Sequence, residues 1–209
     1  MRKMVAAAFA VLLAVVPAAD AHQLDEYLQA TRIAIEPDRI VLEIGLTPGV
    51  AVADQIFASI DLNGDTLVSA SEIETYGRQV LLDLALDVDG HALPLTLVRA
   101  ESPAWAEMRD GIGTIRLTAA TEAAIPPGGH RLRFVNNHRS GVSVYLVNAL
   151  MPSASTISIR RQERDVRQRV IRLDFDRSLP YVGTGWIVIP LVGVAWLVLY
   201  RRPDPAYCR

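Results

Sequence analysis

From Leu179 to Tyr200 the chain runs for 22 residues without a charge. Coiled as a helix at about 1.5 Å per residue, that stretch is about 33 Å long, enough for a ~30 Å hydrocarbon core. A helix that is apolar all round needs a bilayer or a large interior, and a chain of 209 residues has no such interior to offer. The stretch 179–200 is therefore expected to be a transmembrane helix. Tyr181, Trp186, Trp196 and Tyr200 lie towards its two ends, where amphipathic rings settle at the interface, and Pro190 would kink it. Arg201 and Arg202 follow at once as a stop-transfer signal, and residues 201–209 form a cytoplasmic tail that holds the single cysteine, Cys208.

The sequence opens on a second apolar block. Arg2 and Lys3 precede the apolar run Met4–Val16, Pro17 breaks it, and Ala19-Asp20-Ala21 supplies the small residues that a signal peptidase accepts. Residues 1–21 read as a signal peptide, because the run falls short of the ~20 residues that a span requires. Cleavage would leave His22 as the new N-terminus and send residues 22–178 into the periplasm. Seven arginines between Arg160 and Arg177 then lie on the exported side. A long domain led by a signal peptide is translocated largely regardless of its charge, so the expected topology is a single pass in a bacterial inner membrane with the main domain in the periplasm. The net charge of −2 gives no electrostatic footprint for nucleic acid. The exported part has no cysteine, so packing or metal, not disulfides, must hold it together.

Within that part the hydrophobic period is two. Gln29–Glu36 and Arg39–Leu46 alternate, with Ile33, Ile35, Ile40, Leu42 and Ile44 on one face and Glu36-Pro37-Asp38 as the turn of a hairpin. Further strand-like runs are Ala85–Val88, Ala92–Val98, Gly113–Ala119, His130–Val135, Val142–Leu150, Thr156–Arg160 and Val166–Phe175. Asp89-Gly90, Pro126-Pro127-Gly128-Gly129 and Ser140-Gly141 separate some of them. About nine short strands favour a mainly β, β-sandwich-like domain. Glu101–Gly111, with Trp105 and Met108, reads as a loop carrying a buried aromatic plug.

The period changes to about 3.6 between Val50 and Leu84. Val52, Ile56, Phe57 and Ile60 form one helical stripe, and Ile73, Tyr76, Val80, Leu81 and Leu84 form another. A helix-loop-helix insertion over about 50–84 is expected. Its loop, Asp61 to Glu72, has oxygen donors at the EF-hand positions: Asp61, Asn63 and Asp65, the Leu67 carbonyl, Ser69 and Glu72. A hard cation of calcium's size takes about six to eight oxygens, so three side chains converging from one turn and a bidentate Glu72 suit it. Val68 is the apolar residue that ties such a loop to its neighbour. Thr66 departs from the pattern, standing where glycine normally supplies a positive φ, at a cost of order 1 kcal/mol and roughly fivefold in affinity. The same residues allow a second reading without metal, in which Ser69-Ala70-Ser71-Glu72 is a capping box and Asp61 and Asn63 form turns of their own.

With Ala21-His22-Gln23-Leu24-Asp25-Glu26, the Asp61–Glu72 loop followed by Tyr76, and Val142-Ser-Val-Tyr-Leu-Val-Asn-Ala149 in view, the chain resembles a bacterial family of exported EF-hand domain proteins. It is similar, over Ala21–Phe175, to the periplasmic N-terminal region of HupE/UreJ-type and nickel/cobalt permease-like membrane proteins. Those relatives continue into several membrane helices, where this chain has one candidate span. An unpaired EF-hand loop in an exported protein is expected to bind calcium weakly, as a structural ion, and the expected partner is an integral membrane permease or another periplasmic protein.

The alternative is an accessory that hands nickel, cobalt or copper to a permease. A free His22 amine and imidazole can chelate such an ion, with His91, His130 or His138 as a third ligand. An enzyme is not expected: Gly-x-Ser-x-Gly and His-Glu-x-x-His are absent, and Asn136-Asn137-His138-Arg139 reads as a strand-end turn. The arginine-rich run, interspersed with Glu163, Asp165, Asp174 and Asp176, reads as paired, solvated strands.

Overall fold

A computed structural model describes residues 25–180. The signal peptide, His22, most of the 179–200 span and the tail lie outside the described residues. The chain divides into two compact units, Met1–Arg177 and Ser178–Arg209. Among the described residues no helix is long and apolar enough to cross a membrane.

The described residues are mainly β, with ten strands in two five-stranded sheets and three short helices. The first sheet has the order β5-β6-β2-β1-β8, built from Thr96–Glu101, Ile115–Glu122, Arg39–Pro48, Tyr27–Ile35 and Ser143–Ala149. The second has the order β4-β3-β7-β10-β9, built from His91–Ala92, Leu84–Val88, Gly128–Asn136, Val170–Arg177 and Ile157–Arg164. All pairings are antiparallel except β1 with β8. Helices α1 (Val50–Ala58) and α2 (Ala70–Leu82) follow the first hairpin, and α3 is Trp105–Arg109.

Alternation decides which face each strand buries. In the β1–β2 hairpin Ile33 pairs with Leu42 and Ile35 with Ile40, and all four are at most 1% exposed. Leu132 and Phe134 of β7 and Ile171, Leu173 and Phe175 of β10 are fully buried in the same apolar cluster as these residues. Burying each such side chain contributes about 1.5–3 kcal/mol. Both helical stripes join this core through Val52, Ile56, Phe57 and Ile60 and through Ile73, Tyr76, Val80 and Leu81. Met108 of α3 is fully buried and Trp105 stacks on Phe57 at 4.1 Å, so the plug expected in this stretch stands on a short helix where a loop was expected.

Three expected boundaries move. Ala92–Val98 is not one strand: β4 ends at Ala92 in the second sheet and β5 begins at Thr96 in the first. Pro94 has no N–H for a ladder and so turns the chain between sheets. Gly128 and Gly129 do not break β7 but pair with Arg177 and Asp176. The turn placed between Arg160 and Val166 falls instead at 165–169, with Val166 fully exposed. Asp165 makes it without glycine or proline, its carboxylate accepting from the Val170 N–H at 2.8 Å, while Gln168 takes φ 52°.

In the second sheet Arg131 pairs across strands with Asp174 and Arg160 with Asp176 at 2.7 Å, and Arg133 with Asp87 at 3.5 Å, while Arg161 pairs with Glu163 of its own strand. Arg164 reaches the edge of the other sheet, donating to the Val147 carbonyl at 2.6 Å, and Gln162 accepts from the Ala149 N–H at 3.2 Å. These side chains cover the open edge of β8.

One buried polar network fixes α2 against both sheets. The Tyr76 hydroxyl lies 2.8 Å from that of Tyr27 on β1 and 3.2 Å from His138 Nε2, and His138 Nδ1 lies 2.7 Å from the Asp83 carboxylate at the end of α2. The carboxylate can only accept, so Nδ1 carries the proton. Burial pushes His138 below the usual histidine range, which keeps the ring neutral and leaves Nε2 to accept from Tyr76. Tyr27 therefore donates to Tyr76. The His138 carbonyl accepts from Gln29 Nε2 at 2.9 Å and from the Tyr145 hydroxyl at 2.8 Å, and Asn136 bridges Gln29 and the His138 N–H.

This ordering has a measurable consequence in urea unfolding. Tyr76→Phe strands both the Tyr27 donor and the His138 acceptor and should cost about 1–3 kcal/mol, against roughly 1 kcal/mol for Tyr27→Phe. The double variant should cost little more than Tyr76→Phe alone. Equal and additive costs would contradict the ordering.

Candidate functional site

The loop between α1 and α2 begins where α1 runs out. Ser59 ends the helix with its hydroxyl on the Ile56 carbonyl at 2.6 Å, and the Ile60 and Asp61 N–H groups still bond to the Phe57 carbonyl at 2.8 and 2.9 Å. Asp61 is thereby held at the first loop position by a helix whose inner face is core.

From there the carboxylates organise the backbone. Asp61 Oδ1 accepts from the Gly64 and Asp65 N–H groups at 2.8 and 3.2 Å, and Oδ2 accepts from the Thr66 N–H at 2.9 Å. Asn63 Oδ1 accepts from the Asp65 N–H at 2.8 Å, its Nδ2 donates to Asp65 Oδ2 at 3.1 Å, and Asp65 Oδ1 accepts from the Leu67 N–H at 2.8 Å. Two residues take the left-handed backbone that so tight a turn needs, Gly64 at φ 75° and Thr66 at φ 64°. Thr66 thus adopts the conformation that glycine supplies in the calcium loop pattern, and the bond to Asp61 helps hold a β-branched residue there.

Glu72 closes the loop. Its Oε2 accepts from the Ser69 N–H at 2.9 Å and the Ser69 hydroxyl at 2.7 Å, while Oε1 reaches back to the Leu62 and Asn63 N–H groups at 3.0 and 3.4 Å. Ser69 caps α2 in return, accepting from the Glu72 N–H at 3.3 Å, so the capping box is complete. These bonds, those from Ser69 first, hold the Glu72 carboxyl below the ordinary glutamate range. Val68 packs against the core and pins the back half of the loop, whereas the Leu67 side chain is exposed.

The structure therefore brings all six candidates, Asp61, Asn63, Asp65, Leu67, Ser69 and Glu72, into one closed turn. Three carboxylates, an amide, a hydroxyl and a carbonyl are hard oxygen donors, but Asp61 Oδ1 and both Glu72 oxygens each accept two hydrogen bonds here, so a cation would have to displace some of them. The donor set fits calcium and does not favour a soft ion. The contacts are those of the reading without metal: the capping box is complete, and Asp61 and Asn63 form turns with the backbone that follows them. Among the described residues no group of three or more His, Cys, Asp or Glu side chains is gathered closely enough to hold a metal ion, the carboxylates of this loop included.

Two histidines weighed as ligands are engaged elsewhere. His138 is held by Tyr76 and Asp83, and His130 by Asp89 and the Pro126 carbonyl. His91 is exposed on β4. The Asn136–Arg139 run does form a strand-end turn, yet Asn136 and His138 within it are only 2% and 5% exposed. The order Asp83, His138, Tyr76 has the types of an activated nucleophile, but Tyr76 and Tyr27 are 2% and 0% exposed, so no substrate group reaches the hydroxyls.

No protein-family model matches the sequence, and no curated protein matches it.

Because the Glu72 carboxyl is stabilised as the anion, its contribution to folding is fully present above about pH 4.3 and is lost as pH falls through its lowered folded value. Thermal melts in chelator between pH 5 and pH 2.5 should fall more steeply for the wild-type chain than for Glu72→Gln. Parallel curves would show that Glu72 does not close the loop.

Proposed function

We propose that this chain is a calcium-binding, membrane-anchored periplasmic module, a β-sandwich with an EF-hand-like insertion, which acts as a binding or scaffolding domain. One observation supports the reading: Glu72 spans from Ser69 to the Leu62 and Asn63 N–H groups, so the last donor of the loop is folded back onto the backbone at its start. A cation placed among Asp61, Asn63, Asp65 and Glu72 would neutralise three like charges held in one turn, of which Glu72 is buried. That relief of repulsion is what bound calcium supplies to the fold. The anchor and the signal peptide rest on the uncharged run 179–200 and the apolar block 1–21. The partner that suits a tethered module of this kind is an integral membrane permease or another periplasmic protein.

An unpaired loop with a strained Thr66 belongs with weak extracellular sites, whose dissociation constants are about 10⁻⁴ to 10⁻³ M. Isothermal titration of calcium into the purified chain should give a constant in that range, with binding abolished or weakened at least tenfold in Glu72→Gln. At tenfold excess over the constant, calcium should add about 1.4 kcal/mol of stability. No heat at ~10 mM calcium, or equal heat from the variant, would overturn the proposal.

A further inference from the structure

His130, in β7, points its ring between two oxygens that both need a proton. Nδ1 lies 2.7 Å from Asp89 Oδ2, and Nε2 lies 2.8 Å from the carbonyl of Pro126. A peptide carbonyl has no proton to give. Asp89 accepts at its other oxygen from the Arg131 N–H at 2.8 Å and is held below the usual carboxylate range, chiefly by His130 itself. Both ring nitrogens must then donate, and only the imidazolium does so.

The oxygens belong to different parts of the fold. Asp89 sits in the β3–β4 turn at φ 54°, and Pro126 sits in the crossover 123–127 that carries the chain from β6 of the first sheet to β7 of the second. Ile125 of that crossover is 3% exposed, and its carbonyl accepts from the Arg177 guanidinium. Arg177 is the last residue of its compact unit. Two cations thus fasten one crossover, and only one of them titrates near neutral pH.

The remaining charges around the ring are paired with other groups or act on it through space. On β7 and β10, Arg131 pairs with Asp174 and Asp176 pairs with Arg160. His91 and Arg177 act on the Asp89–His130 pair only through space, His91 favouring the Asp89 anion and Arg177 opposing the His130 cation. Phe175 lies against the ring at 5.6 Å between centroids. The His130 side chain is 8% exposed and that of Asp89 is 43% exposed, so protons exchange from the Asp89 side.

We propose that His130 is a pH-operated latch, which as the imidazolium fastens the 123–127 crossover to the β3–β4 turn and on deprotonation releases the crossover. The neutral ring keeps its remaining proton at Nδ1, where the acceptor is a carboxylate, so the bond to Pro126 is the one lost. His130 is raised above its ordinary value, with the Asp89 hydrogen bond as the largest cause. The latch is therefore fully closed below about pH 6.5 and opens as pH rises through the higher folded value.

Nitrogen-15 spectra of histidine-labelled full-length chain, titrated from pH 5.5 to 9, read the ring directly, and amide exchange over 123–129 at each pH, relative to intrinsic rates, reads the crossover. The expected result is a ring protonated on both nitrogens at pH 6.5, absent from His130→Gln, with relative exchange of the crossover about fivefold faster once it titrates, the factor of one hydrogen bond. In Asp89→Asn, which keeps the imidazole, the midpoint should fall. A neutral ring at pH 6.5, an unchanged midpoint in Asp89→Asn, or crossover exchange that ignores the titration would overturn the latch.

Discussion

The Glu72 carboxylate takes part in two structures at once. Through Ser69 it completes the cap of α2, and through Leu62 and Asn63 it holds the start of the loop. The placement of α2 follows from that cap, since Tyr76 lies one turn further on and Asp83 at the helix end, and both are committed to His138. A chain of hydrogen bonds therefore runs from the loop through one helix to β1 and the end of β7. The loop owes its fixed position in the fold to this chain and to Val68, and its shape to its own carboxylates.

Much of this was legible in the residues. Strict alternation gives the β1–β2 hairpin and its buried isoleucines, and the two helical stripes around a polar loop give α1, α2 and all six candidate oxygen donors. Boundaries failed where glycine or proline pairs do not decide the geometry, as at Gly128-Gly129, which stay in β7. The β9–β10 turn is made by the Asp165 side chain, and the Ala92–Val98 run hides a change of sheet at Pro94. A proline inside a strand-like run was the available signal.

The buried network was the larger omission, because a single-residue view treats Gln29, Asn136 and His138 as surface residues. Gln29 and Thr31 fall on the inward positions of β1, in phase with Ile33 and Ile35. Polar residues in phase with a buried face require partners, and that requirement could have pointed to a network before its members were known. The histidines also show why composition overstates metal chemistry. Four histidines look like a ligand supply, yet His130 and His138 each spend both ring nitrogens on protein oxygens.

The account rests on the loop holding its shape through its own carboxylates before any cation arrives. Amide hydrogen exchange of Gly64, Asp65, Thr66 and Leu67 in excess chelator tests this most directly. These N–H groups donate to Asp61 and Asp65 and should exchange about tenfold or more below their intrinsic rates, with calcium slowing them further. Exchange at intrinsic rates in chelator would show that the turn forms only with metal, and would contradict the account.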